Sequence, residues 1–417
     1  MKFDTVIIGA GLAGVTAAIR LAEEGRRVGL VSAGRSSMHF HSGSLGLLDY
    51  DAGHSPTDDI EAAINGLPEP HPYRKIGAEA VVSRASEAAA ILRRSGVKVS
   101  GSIRSNHKRI SPLGVLRPAW LTLENVVTLD ALKSLSRPHV AIISLAGFLD
   151  FYPRFIASSL GREGFKCEIL SVDTPELRSL RASEAEMRSA NIARVMSGEA
   201  LERFTDAVHV AVRSSDAAGL IIPAVINFDG DGEALRLRTA VGRPLFYAPT
   251  MGVSVPGITM HTRLLRHFIS LGGCLLNGHR VSGADFAGDR LMAVYTDKLD
   301  DDELRADSFI FAAGSFFGRG IKALPDSVVE PVLGLDTVAP ADRGSWFDAD
   351  LFGVQPIMTA GIATDSGFHA LRSGSHIANL FVAGSALAGA NSVREDSGAG
   401  VAMITALHVA EKIINNN

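Results

Sequence analysis

Three glycines near the amino terminus, Gly9, Gly11 and Gly14, follow the β-branched run TVII and open a stretch with Val15, Ile19 and Ala22 at helical spacing. In that G-x-G-x-x-G context Gly9 permits a tight turn, Gly11 lets backbone approach a phosphate, and Gly14 lets helix lie close to sheet. Unpaired N–H groups and the positive helix end then attract a phosphoryl group, so the first chemistry legible in the chain is nucleotide binding. One expected group is missing. Ser32, at the end of RVGLV, stands where most such units carry a carboxylate for an adenosine ribose.

The same logic returns late in the chain, where NLFVAG releases into Gly384 and a helix begins at Gly398 to Gly400. A flavin needs N–H donors against its ring carbonyl and N1 edge, and a helix start supplies them while favouring negative charge on the reduced ring. The strand FIFAAG, ending at Gly314, adds a further glycine-terminated strand. A nicotinamide enzyme usually continues with more strand–helix units after the second strand. Here a His- and Gly-rich loop, residues 36 to 54, follows directly, and the pattern favours a flavin.

These groups need a scaffold. TVII and RVGLV read as buried strands around a helix that stops at Gly25, giving an α/β, Rossmann-like flavoprotein fold of the FAD/NAD(P)-binding type. HVAIISLAG, KCEIL, GLIIPAVINF and RPLFYAPT read as further strands around helical stretches such as FYPRFIASSLGREG, so an inserted α/β lobe is expected. The expected division is 1–60 with 256–417 for a discontinuous flavin-binding domain, and 61–255 for an inserted cap or subunit-interface domain. ITMHTRLLRHFISLGG predicts a helix, and CLLNGHRVSGADFAGDRLMAVYTD a β-meander.

Composition narrows the partners. With 417 residues, 46% hydrophobic and 21% charged, the chain has ordinary globular composition; 41 Lys and Arg against 45 Asp and Glu leave a net charge of -4 and no basic field for nucleic acid. Its only cysteines, Cys167 and Cys274, are too few for an iron–sulfur cluster, which takes about four ligands, and no metal site is expected. No window approaches the ~20 apolar residues of a membrane span. A cytoplasmic setting is expected, with membrane contact only through a partner.

KFDTVIIGAGLAG, HFHSGSLGLLD, HPY, RISPLGVLRPAWL, NIAR, AAGSFFGRG, EPVLGLD and GSALAG…SGAGVAMITALHVA together resemble the B subunit of anaerobic glycerol-3-phosphate dehydrogenases, from the first residues almost to the last. The resemblance implies an FMN-containing flavoprotein, peripheral to the inner membrane through its complex. Its implied companions are an FAD-bearing catalytic A subunit and an iron–sulfur, membrane-anchoring C subunit that passes electrons to a quinone pool. FMN ends at one phosphate, so a carboxylate at position 32 would have nothing to hold; FAD is the alternative, since Ser32 can still pair with a ribose hydroxyl.

The resemblance also singles out residues. Gly43, Ser44 and His39 lie in the loop after the second strand, where related flavoproteins approach the ring. Arg117 and Arg266 match the family pattern and could grip a phosphate bidentately, whereas Arg263 and Arg394 do not match. His41 falls where the family has a small polar residue. The activity implied is oxidation of sn-glycerol 3-phosphate to dihydroxyacetone phosphate, which needs a base for the hydroxyl proton and a hydride acceptor. Two alternatives remain: a flavin relay or assembly component of the same complex, and a stand-alone flavin-dependent oxidoreductase of another small substrate.

Overall fold

The computed structural model describes residues 1–57, 59–183, 186–227, 232–299 and 303–416. The strand Lys2–Ile8 lies in the middle of the main sheet, parallel to Val28–Ser32 on one side and to Leu304–Phe311 on the other. Such a strand is covered on both faces, which is why it is a run of β-branched residues rather than an alternating one. Cys274–Asn277 extends the sheet beyond Val28–Ser32, again in parallel. The expected meander is therefore shorter than its sequence suggested: only Val281–Ala287 and Arg290–Thr296 form an antiparallel pair. Ser375–Val382 joins in parallel beside Leu304–Phe311, completing an eight-stranded mixed sheet with His369–Arg372.

Two helices from opposite ends of the chain, Leu12–Glu23 and Gly398–Asn415, pack against each other beside this sheet. Both are apolar almost all round: Val15, Ile19 and Leu21 in one, Met403, Ile404 and Leu407 in the other are fully buried. A helix of that kind has to be covered on every side. Ala78–Arg94, a third long helix, buries Val81, Ala85, Ala88, Ile91 and Leu92 against the closing helix.

A second unit holds a four-stranded parallel sheet in the order Leu245–Ala248, Gly219–Pro223, His139–Leu145 and Lys166–Val172. GLIIP in this sheet is buried throughout; Phe228, the last residue of the longer expected strand, lies outside the described residues. One helix between the strands, Pro175–Ala182, starts at a side-chain cap, Thr174 accepting from the Leu177 amide. By packing, side chains from Ile60 to Val126 belong with the main-sheet core, and those from Val127 to Ala248 form a separate core joined by Ile110.

Candidate cofactor cradle and buried charge cluster

The glycine turn is close-packed. Gly9 has φ +110, and a Cβ there would overlap the Ala312 carbonyl. A Cβ on Gly14 would overlap the Gly9 carbonyl oxygen, whereas one on Gly11 would meet nothing nearer than Ser36 Oγ at 3.9 Å. So Gly9 and Gly14 serve the backbone crossing, and Gly11 faces open space. No side chain caps the helix that follows, and its first turn carries no acid, which leaves its amides available to an anion.

Two further segments meet this turn. Ala312 and Ala313 abut Gly9 directly, and Gly314, at φ +87, lies 3.7 Å by its Cβ direction from Ser385 Oγ. Gly384, at φ +74, faces the Ala13 methyl with room for no Cβ, which would stand 2.6 Å away, and its amide donates to Thr405 Oγ1 at 2.8 Å. The amino-terminal turn, the end of the central strand and the carboxy-terminal glycines therefore form one cradle. Gly398 opens the closing helix, which has no side-chain cap and no acid in its first turn. The Gly400 amide is already taken, donating to the Gly46 carbonyl at 2.9 Å, and a Cβ there would strike Leu47 and the Tyr73 hydroxyl. Gly400 thus lets the loop after the second strand approach the helix.

That loop runs between the two ends of the cradle. Gly43 is buried against Pro256 and Leu123, and Ser44 begins a short strand paired with Leu121–Leu123, its hydroxyl accepting from Thr122 at 3.0 Å. His39 packs edge-on to His261 at 5.5 Å, and His261 donates to the Ala10 carbonyl at 2.7 Å, inside the glycine turn. Burial and then the His261 charge hold His39 below the usual histidine range. His41, whose Nδ1 accepts from the Gly43 amide at 3.3 Å, is pushed down to about 4 by enclosure in protein and by Arg109. It is a neutral imidazole.

Arg117 comes from the hairpin His107–Ile110 and Leu116–Ala119, directly opposite Arg109. Both guanidinium groups reach Asp396, Arg109 by a hydrogen bond of 2.8 Å and Arg117 at 3.3 Å. Beside them is Asp49, fully buried, with neither carboxyl oxygen hydrogen-bonded. Burial and then the Asp396 charge push its carboxyl up to about 8, against the pull of Arg109 and Arg117; the Leu47 amide helps the charge slightly from outside hydrogen-bond geometry. The Nε atoms of Arg109 and Arg117 are likewise buried without a hydrogen bond. Below this group, Glu395 accepts from Ser397 at 2.7 Å and pairs with His71 at 3.2 Å; burial works against its charge, yet these bonds hold it below the usual range.

Arg266 lies elsewhere. It lines an open cleft of about 670 Å³ with Arg94, Lys98, Arg238 and Arg263, and no residue of that cleft belongs to the glycine turn or the Asp49 group. Sequence reasoning passed over Asp49, Arg109 and Asp396. Asp49 is the last residue of HFHSGSLGLLD and Asp396 directly precedes SGAG; only tertiary properties, the burial of Asp49 and the pairing of Asp396 with two arginines, separate them from other acids.

A parallel sheet that ends in a glycine turn, with a second glycine-opened helix returning to it, defines a nucleotide-binding flavoprotein, and the family described as FAD binding domain matches residues 4–401. The B subunit of the anaerobic glycerol-3-phosphate dehydrogenase of Yersinia enterocolitica is 38% identical over the whole of this chain and 99% of its own length. That of Pectobacterium carotovorum is 36% identical over 99% of each. The chain belongs to the family of anaerobic glycerol-3-phosphate dehydrogenase B subunits. A solved 3-ketosteroid delta1-dehydrogenase from Sterolibacterium denitrificans aligns over 100% of both chains at 10% identity and a TM-score of 0.46.

The expectation of FMN is corrected by the match to an FAD binding domain. Reading the cofactor from Ser32 gave one residue too much weight. Its hydroxyl is buried and donates to the Gly34 carbonyl at 3.2 Å, in a turn of its own. The carboxylate it replaces is worth ~1.5–3 kcal/mol, a small part of what a dinucleotide gains from phosphate and ring contacts. The cradle fits such a group: Gly11 leaves open the space a side chain would fill, beside an uncapped helix start.

Proposed function

We propose that this chain is the FAD-holding B subunit of an anaerobic glycerol-3-phosphate dehydrogenase assembly, and that its cofactor relays electrons rather than acting alone. The observation that carries the reading is the meeting of the Gly9 turn, Ala312–Gly314 and Gly384 in one cradle. Gly9, Gly11 and the first turn of Leu12–Glu23 would hold the phosphates, and the start of Gly398–Asn415 would face the ring. Bound there, a flavin supplies two-electron acceptance and one-electron release.

Two features support a heteromeric assembly. With only Cys167 and Cys274, an iron–sulfur relay to a quinone pool must come from another polypeptide, as the FAD-bearing A subunit and iron–sulfur C subunit of the family pattern would provide. Phe317, Phe347, Leu351 and Phe352 are 60% to 88% exposed, more large apolar side chain than a lone chain usually leaves in water. Among the described residues no helix is long and apolar enough to cross a membrane, so the assembly would reach the inner membrane from the cytoplasm through a companion. The segment 61–255 would then provide the cap or partner-facing lobe, with its hairpin lending Arg109 and Arg117 to the site.

A second reading, direct oxidation of sn-glycerol 3-phosphate to dihydroxyacetone phosphate by this chain, is favoured by Asp49 and by the buried Nε of Arg109, which has no hydrogen bond. Anaerobic mixing of the isolated, FAD-loaded chain with glycerol 3-phosphate separates the two. An unchanged flavin spectrum with full reduction on adding the companion polypeptides supports the relay; bleaching by the chain alone supports direct oxidation and refutes the relay.

A further inference from the structure

We propose that Asp49 is the proton-holding residue of this site, a neutral carboxylic acid whose proton exchange is coupled to the charge of the bound cofactor; the coupling rests on the FAD reading above.

The geometry leaves the group little else to be. A carboxylate sealed from water with no hydrogen bond to either oxygen is among the costliest arrangements a protein can hold, and the ordinary escape is to keep the proton. The charges around it come from every neighbouring segment. Asp396, on the carboxy-terminal side, is a fixed anion, secured by Arg109 and Arg117 of the hairpin. Those two cations are engaged by Asp396 and do not outweigh it together with burial. Tyr73, which donates to the Leu47 carbonyl at 2.9 Å, is kept neutral by burial and then by Glu395. His41 is neutral, and Glu395 lies 3.2 Å from His71.

Asp49 is also tied to the part of the fold that would feel the cofactor. Its own amide and that of Tyr50 both donate to the Glu395 carbonyl, at 3.0 and 3.1 Å, three residues before the closing helix begins. Gly46 allows the approach, since a Cβ there would stand 2.8 Å from Asp49 Oδ2 and overlap the Asp396 carbonyl, and its own carbonyl holds the Gly400 amide. Negative charge arriving near that helix start acts on Asp49 as Asp396 already does: it raises the affinity for a proton. Between the pH at which Asp49 ionises beside the oxidised cofactor and the higher pH at which it ionises beside the reduced one, each two-electron reduction takes up an additional proton, passed from solvent to the Asp49 carboxylate; below that window the proton is already in place, and above it Asp49 is ionised in both states.

The test uses the FAD-loaded chain and its midpoint potential, titrated against pH from 6 to 10 with dye mediators, in wild type, Asp49→Asn and Asp396→Asn. Relative to Asp49→Asn, the wild-type potential should fall by a further tenfold in equilibrium constant, about 30 mV per pH unit, from near pH 8 upward. In Asp396→Asn the onset should move to lower pH, which keeps the test open if Asp49→Asn does not fold. Parallel slopes in wild type and Asp49→Asn overturn the coupling. Infrared difference spectra of the flavin-free chain at pH 7 give an independent arm: a protonated-carboxyl band lost in Asp49→Asn supports the held proton, and its absence from wild type sinks the proposal. A chain that shows the band yet binds no FAD refutes the FAD reading and leaves the proton on Asp49 standing.

Discussion

The two halves of the candidate site are made of opposite materials. Around Gly9, Gly14 and Gly384 there is little room for side chains: backbone meets backbone, His261 bonds only the Ala10 carbonyl, and the work is done by amides at an uncapped helix start. Around Asp49 the work falls to four charged or chargeable side chains, Asp49, Asp396, Arg109 and Arg117, gathered from three distant stretches of sequence. The first kind of site is set mainly by shape; the second is set by electrostatics and should respond far more to pH.

The harshest way to break the contrast is at Gly14. Gly14→Ala drives a methyl into the Gly9 carbonyl, so a loss at or beyond the ~3 kcal/mol end of overpacking penalties is expected, with purified protein carrying no flavin absorbance in the visible. Gly11→Ala, with open space before it, should fold normally and lose only cofactor affinity, measured by flavin fluorescence titration. Equal unfolding in both variants would mean that the turn is not held by contact.

Next in size is Arg109→Leu. Removing the nearer guanidinium strands Asp396 beside Asp49, and about 2 kcal/mol should vanish in urea denaturation, below the value for a sealed pair because Asp396 is partly exposed. Arg117→Leu should cost under ~1 kcal/mol, its side chain being 35% exposed and stacked over Tyr50 at 5.4 Å.

A pH series sharpens the electrostatic half. The Asp49 carboxyl is raised to about 8 in the fold from an ordinary value near 3.8, so the folded state holds the extra proton, and this contribution to stability is complete below 3.8 and lost as pH rises towards 8. His41 runs the other way: depressed to about 4 from 6.5, its contribution is complete above 6.5 and lost as pH falls through 4. From pH 4 to 6.5 the two slopes, each at most ~1.4 kcal/mol per pH unit, oppose; between 6.5 and 8 only the Asp49 slope remains. Thermal melts should fall across that upper window in wild type and stay level in Asp49→Asn. A level wild type would remove Asp49 from the account.

The smallest expected effect is at Ser32. Ser32→Ala deletes one hydrogen bond within its own turn, worth ~1 kcal/mol or less, and FAD should remain bound. A variant that loses FAD would restore to that hydroxyl the importance first assigned to its missing carboxylate.

Much of the first half was legible in the sequence, because glycine spacing and strand patterning are local: TVII, FIFAAG and NLFVAG all proved to be strands of one sheet. Little of the second was. Arg117 was singled out through resemblance alone, and its partner Asp396 lies hundreds of positions later, a pairing no local pattern encodes. Cys274–Asn277 was misassigned for a related reason: a short apolar strand reads the same whether it folds back on its neighbour or crosses to the far edge of a parallel sheet. Arg266 matched a pattern and sits in a different cleft.

The packing of Leu12–Glu23 against Gly398–Asn415 has a consequence for biosynthesis. The phosphate turn leaves the ribosome hundreds of residues before its walls at Ala312 and Gly384 and the helix beside it. A nascent chain arrested before Gly398–Asn415 should emerge unable to retain its cofactor, so the flavin is expected to load only once that helix has been made.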